Sequence, residues 1–279
     1  MKFGKNLIRV VELSDPEWGP YWINYKFMKK KINEIVERQG GRRQSESNLS
    51  EISKSATEVD FFRLLKTELK KTSDFFSSAQ QLCRIRHQRV RDGFVMLQDN
   101  TVMHDKNTWT RLLMACVKFY KDVLLLENFA IMNYCGFSKI LKKHDKSTGF
   151  STREAFMRNV MSQQNFTHYP YVLDLLKQSE KLFADIQEME RYVGYFNTAR
   201  ERVARILMTL CISQHHHFIN FYHLHYPMTV VCLSKTKKDS SSKPSETLTI
   251  KPVNSKQRKT KSCEENLLKK LIKCPGDEV

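Results

Sequence analysis

The sequence predicts an all-α protein built on two long antiparallel helices packed as a bundle, followed by a disordered basic C-terminal tail. Three observations predict it. Glycine and proline are scarce, 9 and 7 in 279 residues, which leaves little material for the turns of a β fold. Apolar residues recur in alternating steps of four and three, without a fault at Leu112, Cys116, Phe119, Val123, Leu126, Ala130, Asn133, Phe137 and Ile140. With 41% hydrophobic residues the chain can fill a core.

Taken in order, residues 1–11 read as a short amphipathic segment with Phe3, Leu7, Ile8 and Val11 apolar. Ser14 and Glu17 have capping-box spacing around Pro16, so a helix is expected to start there and run to about Arg38. Its stripe is Tyr21, Tyr25, Met28, Ile32 and Ile35, which makes Tyr25 and Lys29 neighbours one turn apart. Gln39 to Ala56, with two glycines and five serines, reads as a polar loop. A third helix should run from about Thr57 past Arg91 on the seam Phe62, Leu65, Leu69, Phe76, Ala79 and Cys83, with the turn at Gly93 to Lys106. The fourth helix carries the nine-residue seam, about 42 Å long at 1.5 Å per residue. Gly149 suits its C-terminus. Further helices are expected from Ser151 to Met161, Tyr171 to Met189 and Tyr192 to about Phe221. Residues 235–273 hold 12 Lys and Arg against 4 Asp and Glu and read as the disordered tail.

The formal charge of +17 points to an acidic partner: nucleic acid, an anionic membrane surface or a phosphate-rich molecule. Seven scattered cysteines without a CxxC pair fit free thiols in a reducing compartment, the cytoplasm or the nucleus. No apolar run approaches the ~20 residues of a membrane helix. No phosphate-binding glycine loop, nucleophile elbow or zinc-hydrolase helix occurs, and the chain is expected not to be an enzyme and to take no cofactor. His215, His216 and His217 diverge by about 100° each on a helix. Cys211 and His215, four apart, could share a metal, but polar residues on a terminal helix are the simpler reading and no metal is expected. Lys256 to Lys261 could be a nuclear address or a nucleic-acid patch, or only a solvated tail.

The stretch Phe137 to Lys146 concentrates the charge. Lys139, Lys142, Lys143 and Lys146 stand at i, i+3, i+4 and i+7, so all four ammonium groups leave one helix face. Such a row repels itself by a few tenths of a kcal/mol per pair, a cost that a bound polyanion would offset. A solvated face is the alternative, and lysines in a last turn also meet the negative end of the helix dipole.

These blocks carry a resemblance. MKFGKNL at the start, PEW at Pro16 to Trp18, YKFMKK at Tyr25 to Lys30 and NYCGFSKILKKHDKSTG at Asn133 to Gly149 resemble, in order and approximate spacing, the conserved blocks of the SPX domain. The similarity covers residues 1 to about 190. It implies an N-terminal helical hairpin packed on a helical bundle with two long helices, in a domain at 1–190; beyond it a C-terminal helical extension is expected at 191–226 and the disordered basic tail at 227–279. It also implies binding of inositol polyphosphates, pyrophosphates above all, and a role in reporting phosphate status to a protein partner. By position, the family's phosphate-binding cluster falls on Tyr25, Lys29 and Lys142. A neighbouring lysine cluster falls on Lys139, Lys143 and Lys146, and Lys2 lies near the same surface. Phe27-Met28 departs from the family's usual leucine by a volume-conserving swap. The expected function is therefore a stand-alone sensor in phosphate homeostasis. The alternatives are a nucleic-acid or anionic-membrane binder using the tail, with nucleic acid the less favoured partner, and a truncated N-terminal regulatory part of a phosphate transporter.

Overall fold

The computed structural model describes residues 3–38, 55–98, 106–192 and 199–225. Seven α-helices occupy them: α1 Phe3–Leu13, α2 Tyr25–Arg38, α3 Ala56–Gln98, α4 Lys106–Thr148, α5 Arg153–Asn159, α6 Pro170–Tyr192 and α7 Ala199–His225. Short 3-10 turns at Pro16–Tyr21, Met161–Gln163 and Asn165–Thr167 complete the connections, and no strand occurs among the described residues. Lys2, most of the polar loop, and the tail with Lys256 to Lys261 lie outside the described residues. The chain divides into two compact units, and the division falls inside both long helices, after Asp74 and after Ile131.

The first unit contains α1, α2, the first part of α3, the last part of α4, and α5. Its entry differs from the expectation of one helix from Ser14 to Arg38. The Ser14 hydroxyl donates back to the Val11 carbonyl at 2.6 Å, closing α1, and the Asp15 carboxylate instead accepts from the Glu17 N–H at 3.0 Å. The turn that follows stops at Tyr21: Trp22 is extended, with ψ 150°, and the Ile23 and Asn24 N–H groups bond the Asn133 and Glu68 side chains instead of helix carbonyls. Asn24 then starts α2 afresh, its side-chain oxygen accepting from the Phe27 N–H at 3.1 Å. Met28, Ile32 and Ile35 are the buried stripe, while Tyr21 is exposed. On α1 only Leu7 is buried, and Ile8 is exposed, contrary to the predicted stripe.

Two levels fix the direction of α3 and α4 here. Glu58 reaches His144, and Glu68 stands level with Asn133 because they bond the consecutive backbone amides of Asn24 and Ile23. The helices are therefore antiparallel. Gly149 ends α4 as expected, with φ 86° and its N–H on the Asp145 carbonyl at 2.9 Å.

In the second unit the same two helices run antiparallel past Phe75 with Phe129, Arg86 with Asp122, and His87 with Phe119. All nine residues of the predicted α4 seam are buried across the two units. The turn predicted at Gly93 is instead helix to Gln98, because Val90, Phe94 and Leu97 continue the buried stripe. Gly93 serves close approach: a Cβ there would stand 3.2 Å from Leu112 Cδ1. The helices α6 and α7 complete the unit through Tyr120, which donates to Glu180 Oε1 at 2.7 Å, and Thr110, which donates to Glu201 Oε1 at 3.3 Å. The histidine cluster, expected as polar residues on a terminal helix, is divided between two environments. His216 and His217 are exposed, but His215 is half-buried with Nε2 2.7 Å from the buried Glu127 carboxylate. Burial pushes the Cys83 thiol up to about 11 and the Cys116 and Cys135 thiols up to about 12, so these three are inert.

Candidate functional site

The lysine row lies in the first unit, on the last turns of α4. Lys142 and Lys146 are exposed and Lys139 and Lys143 half-buried, as four residues around one helix face require when that face borders a neighbour. The neighbour is α2. Its entry is pinned to α4 at Ile23, whose N–H donates to the buried Asn133 side-chain oxygen at 2.8 Å. One turn on, Gly136 allows contact so close that an added Cβ would meet Ile23 Cγ2 at 2.8 Å. Ten residues beyond Ile23, Asn33 accepts from Lys143 Nζ at 3.3 Å. The two contacts make α2 run in the same direction as the end of α4, with Tyr25 near the level of Gly136 and Lys29 between Gly136 and Lys143.

Tyr25 opens α2 half-buried, its ring packed edge-on against Phe3 of α1 at 5.1 Å, which leaves a positioned phenol at the start of the row. Gly4 faces the same ring, where an added Cβ would lie 3.5 Å from Tyr25 Cε1. Lys26, Lys29 and Lys30 are exposed. Lys31 belongs elsewhere: it pairs with Glu34 at 2.8 Å and covers the Phe27 ring, on the flank of α2 that borders a cavity of about 400 Å³ toward α3. That cavity is lined by Phe27, Ile35, Phe61 and Leu64 among others, and none of the row lysines borders it. The α2–α4 surface presents ammonium groups from two helices and a phenol, with few directional constraints, which suits a compact, multiply charged anion.

Behind the row, three helix termini meet at His144. The ring is fully buried, stacked on Phe61 at 4.7 Å, with Nε2 2.7 Å from Glu58 Oε2 and Nδ1 3.4 Å from Asp145 Oδ1. Burial favours the neutral ring, but hydrogen bonds and charge from Asp145 and Glu58 outweigh it and raise the pKa above its ordinary 6.5. Burial would also raise Asp145, yet its bonds from His144, Thr152 and Arg153 hold it below 3.8.

Among the expected residues, Tyr25, Lys29, Lys139, Lys142, Lys143 and Lys146 all belong to the surface made by α2 and α4, and Lys2 lies outside the described residues. Sequence reasoning missed Asn33, Gly136, His144 and Asp145. One signal was available: His144 stands four beyond Ile140, the next step of the α4 seam, where a polar residue announces a buried partner.

The SPX domain family profile matches residues 84–160. SPX domain-containing protein 1 of Arabidopsis thaliana is 34% identical over 188 residues, which cover 67% of this chain and 71% of that protein. SPX domain-containing protein 1 of Oryza sativa subsp. indica is 32% identical over 193 residues, 65% of this chain and 64% of that one. A solved structure of the SPX domain of Chaetomium thermophilum Glycerophosphodiester Phosphodiesterase 1, in complex with inositol hexakisphosphate, superposes with TM-score 0.53 and 24% identity, over 67% of this chain and 99% of that one. That likeness bears on the fold, whereas the Arabidopsis relative carries the family assignment: this chain belongs to the SPX domain family.

Proposed function

We propose that this chain is a non-catalytic sensor: it binds an inositol polyphosphate or pyrophosphate on the α2–α4 surface and reports phosphate status to a protein partner. One observation carries the reading. The contacts Ile23 with Gly136 and Asn33 with Lys143 set Tyr25 and Lys29 alongside the row Lys139, Lys142, Lys143 and Lys146. In this reading Tyr25 donates a directional hydrogen bond, while Lys29 and Lys142 contact phosphate from the two helices. Lys139, Lys143 and Lys146 extend the positive surface, and Lys2 is a further candidate. The solved SPX domain with inositol hexakisphosphate, a protein of the same fold, supports the ligand class.

The test is calorimetry on the full chain with inositol hexakisphosphate, its pyrophosphate analogue and orthophosphate. Lys142→Ala is expected to weaken the polyphosphates about 10-fold to 150-fold, or about 1.5 to 3 kcal/mol, the worth of one charged hydrogen bond. Helical content should be unchanged, since removing one member of a like-charged row relieves repulsion. If the substitution leaves affinity untouched while deletion of 227–279 abolishes it, the basic tail is the binding surface and the reading is wrong.

A further inference from the structure

The row is a self-repelling arrangement on the end of a helix, where the last four carbonyls lack intrahelical partners and fraying is easiest. It needs an anchor from outside α4. Glu58 in the first turn of α3 lies 86 residues away in sequence and 2.7 Å from His144 Nε2. Asp145, on the other side of the ring, accepts from the Thr152 N–H at 3.0 Å, the Thr152 hydroxyl at 2.6 Å and the Arg153 N–H at 2.9 Å, and so caps α5. The Thr152 hydroxyl also lies 3.5 Å from His144 Nδ1, and Thr148 Oγ1 donates to the His144 carbonyl at 2.9 Å. Phe61, Phe62 and Phe150 close the rest of the ring's surroundings, so the charged groups facing it are Glu58 from α3 and Asp145 from α4 itself.

Proton count decides what this arrangement does. Ionised carboxylates only accept hydrogen bonds, and a neutral imidazole has a single N–H, so it can serve Glu58 or Asp145 but not both. The imidazolium has two and serves both. Resting on the inositol phosphate reading above, we propose that His144, as an imidazolium bridging Glu58 and Asp145, is a positioning residue for the polyanion site. It ties the end of α4 to the starts of α3 and α5, keeps the four lysines in helical register beside α2, and makes ligand affinity depend on its protonation. A row held in register presents its charges without first ordering the turn, which is the advantage of a preorganised site.

The test uses the full chain, inositol hexakisphosphate and calorimetry from about pH 5.5 to about pH 8.5, a range that brackets the ordinary histidine pKa and extends above it. The phosphates of the ligand titrate in this range, so the readout is the ratio of the His144→Gln dissociation constant to that of the wild type, from which the ligand's own titration cancels. The expected ratio is about tenfold near pH 6 and falls toward one as the wild-type ring loses its proton. A variant that lowers the melting temperature yet keeps a pH-independent ratio would assign His144 to the core alone and overturn the proposal. Should His144→Gln fail to fold, Glu58→Gln provides the second measurement. Losing that carboxylate makes the ring give up its proton at lower pH, so the ratio of the Glu58→Gln dissociation constant to the wild type's must depend on pH and be largest where only the wild-type ring is protonated, and a pH-independent ratio overturns the proposal. Lys142→Ala, measured alongside, separates the two readings. If it leaves binding intact, the site itself is misplaced; if it weakens binding while the His144 ratio stays flat, only the positioning role is lost.

Discussion

Asp145 has 19% of its side chain exposed and receives three hydrogen bonds from the residues that begin α5, whose own Thr152 makes no side-chain cap. It therefore performs the capping that the sequence would assign to Thr152 by position. Asp145→Ala is expected to lower stability by about 2 to 4 kcal/mol at neutral pH, the range for losing charge-assisted bonds at a partly buried site, as read by urea denaturation. The pH dependence has a definite sign. Its folded pKa lies below the ordinary 3.8, so its contribution is present above 3.8 and is lost as pH falls through the folded value. The gap between wild type and variant should narrow there, and a gap that persists undiminished in acid would contradict the ion-pair account. His144 acts in the opposite sense, contributing fully below 6.5 and losing its part as pH rises through its folded value. The lysine row was legible because one helix carries all four residues at fixed spacing. The partners of His144 were not, because Glu58 arrives from a distant helix and no local spacing records it.

At the scale of elements, the α2–α4 contact depends on a glycine inside a helix, a residue that costs about 1 kcal/mol there relative to alanine. Gly136 is fully helical, and its missing side chain is the space that Ile23 occupies. Gly136→Ala would place a methyl 2.8 Å from Ile23 Cγ2, an atom fixed to a β-branched carbon, so α2 must shift away from α4. The expected loss is about 1 to 3 kcal/mol of stability despite the better helix propensity, with a parallel loss of polyphosphate affinity as Lys29 leaves the row. Thermal melts and calorimetry check both, and an alanine variant more stable than wild type would remove the proposed close contact. The helix periods themselves were readable from apolar spacing, which located α3, α4 and α6 closely. What failed were the boundaries at Tyr21 and Gly93. At each, tertiary contacts overrode local grammar: Asn133 and Glu68 take the Ile23 and Asn24 amides from a helix that the capping pattern favoured, and Phe94 and Leu97 continue one that glycine was expected to end.

For the whole molecule, the second unit is closed by α7, and its seal is electrostatic as well as apolar. Ala204 and Met208 are buried, Glu201 is buried against Thr110, and His215 stands 2.7 Å from Glu127, whose side chain is 1% exposed. A chain of residues 1–225 should therefore match the intact protein in helical stability and in affinity for inositol hexakisphosphate. A chain of residues 1–198 should lose about 3 kcal/mol or more, because the buried apolar contacts of Ala204 and Met208 and the Glu201 bond to Thr110 go with α7. Burial disfavours the charged form of His215, but the Glu127 bond and charge, with Glu180 adding to them, raise its pKa above 6.5. Its contribution is thus complete below 6.5 and fades as pH rises through the folded value, which predicts that the difference between residues 1–225 and 1–198 shrinks in mildly alkaline buffer. A chelator should leave the melting temperature of residues 1–225 unchanged, because Nε2 of His215 faces the Glu127 carboxylate at 2.7 Å rather than an ion shared with Cys211. Equal stability of the two truncations, at neutral pH and with both still helical, would show that α7 is an appendage whose buried contacts add nothing to the unit.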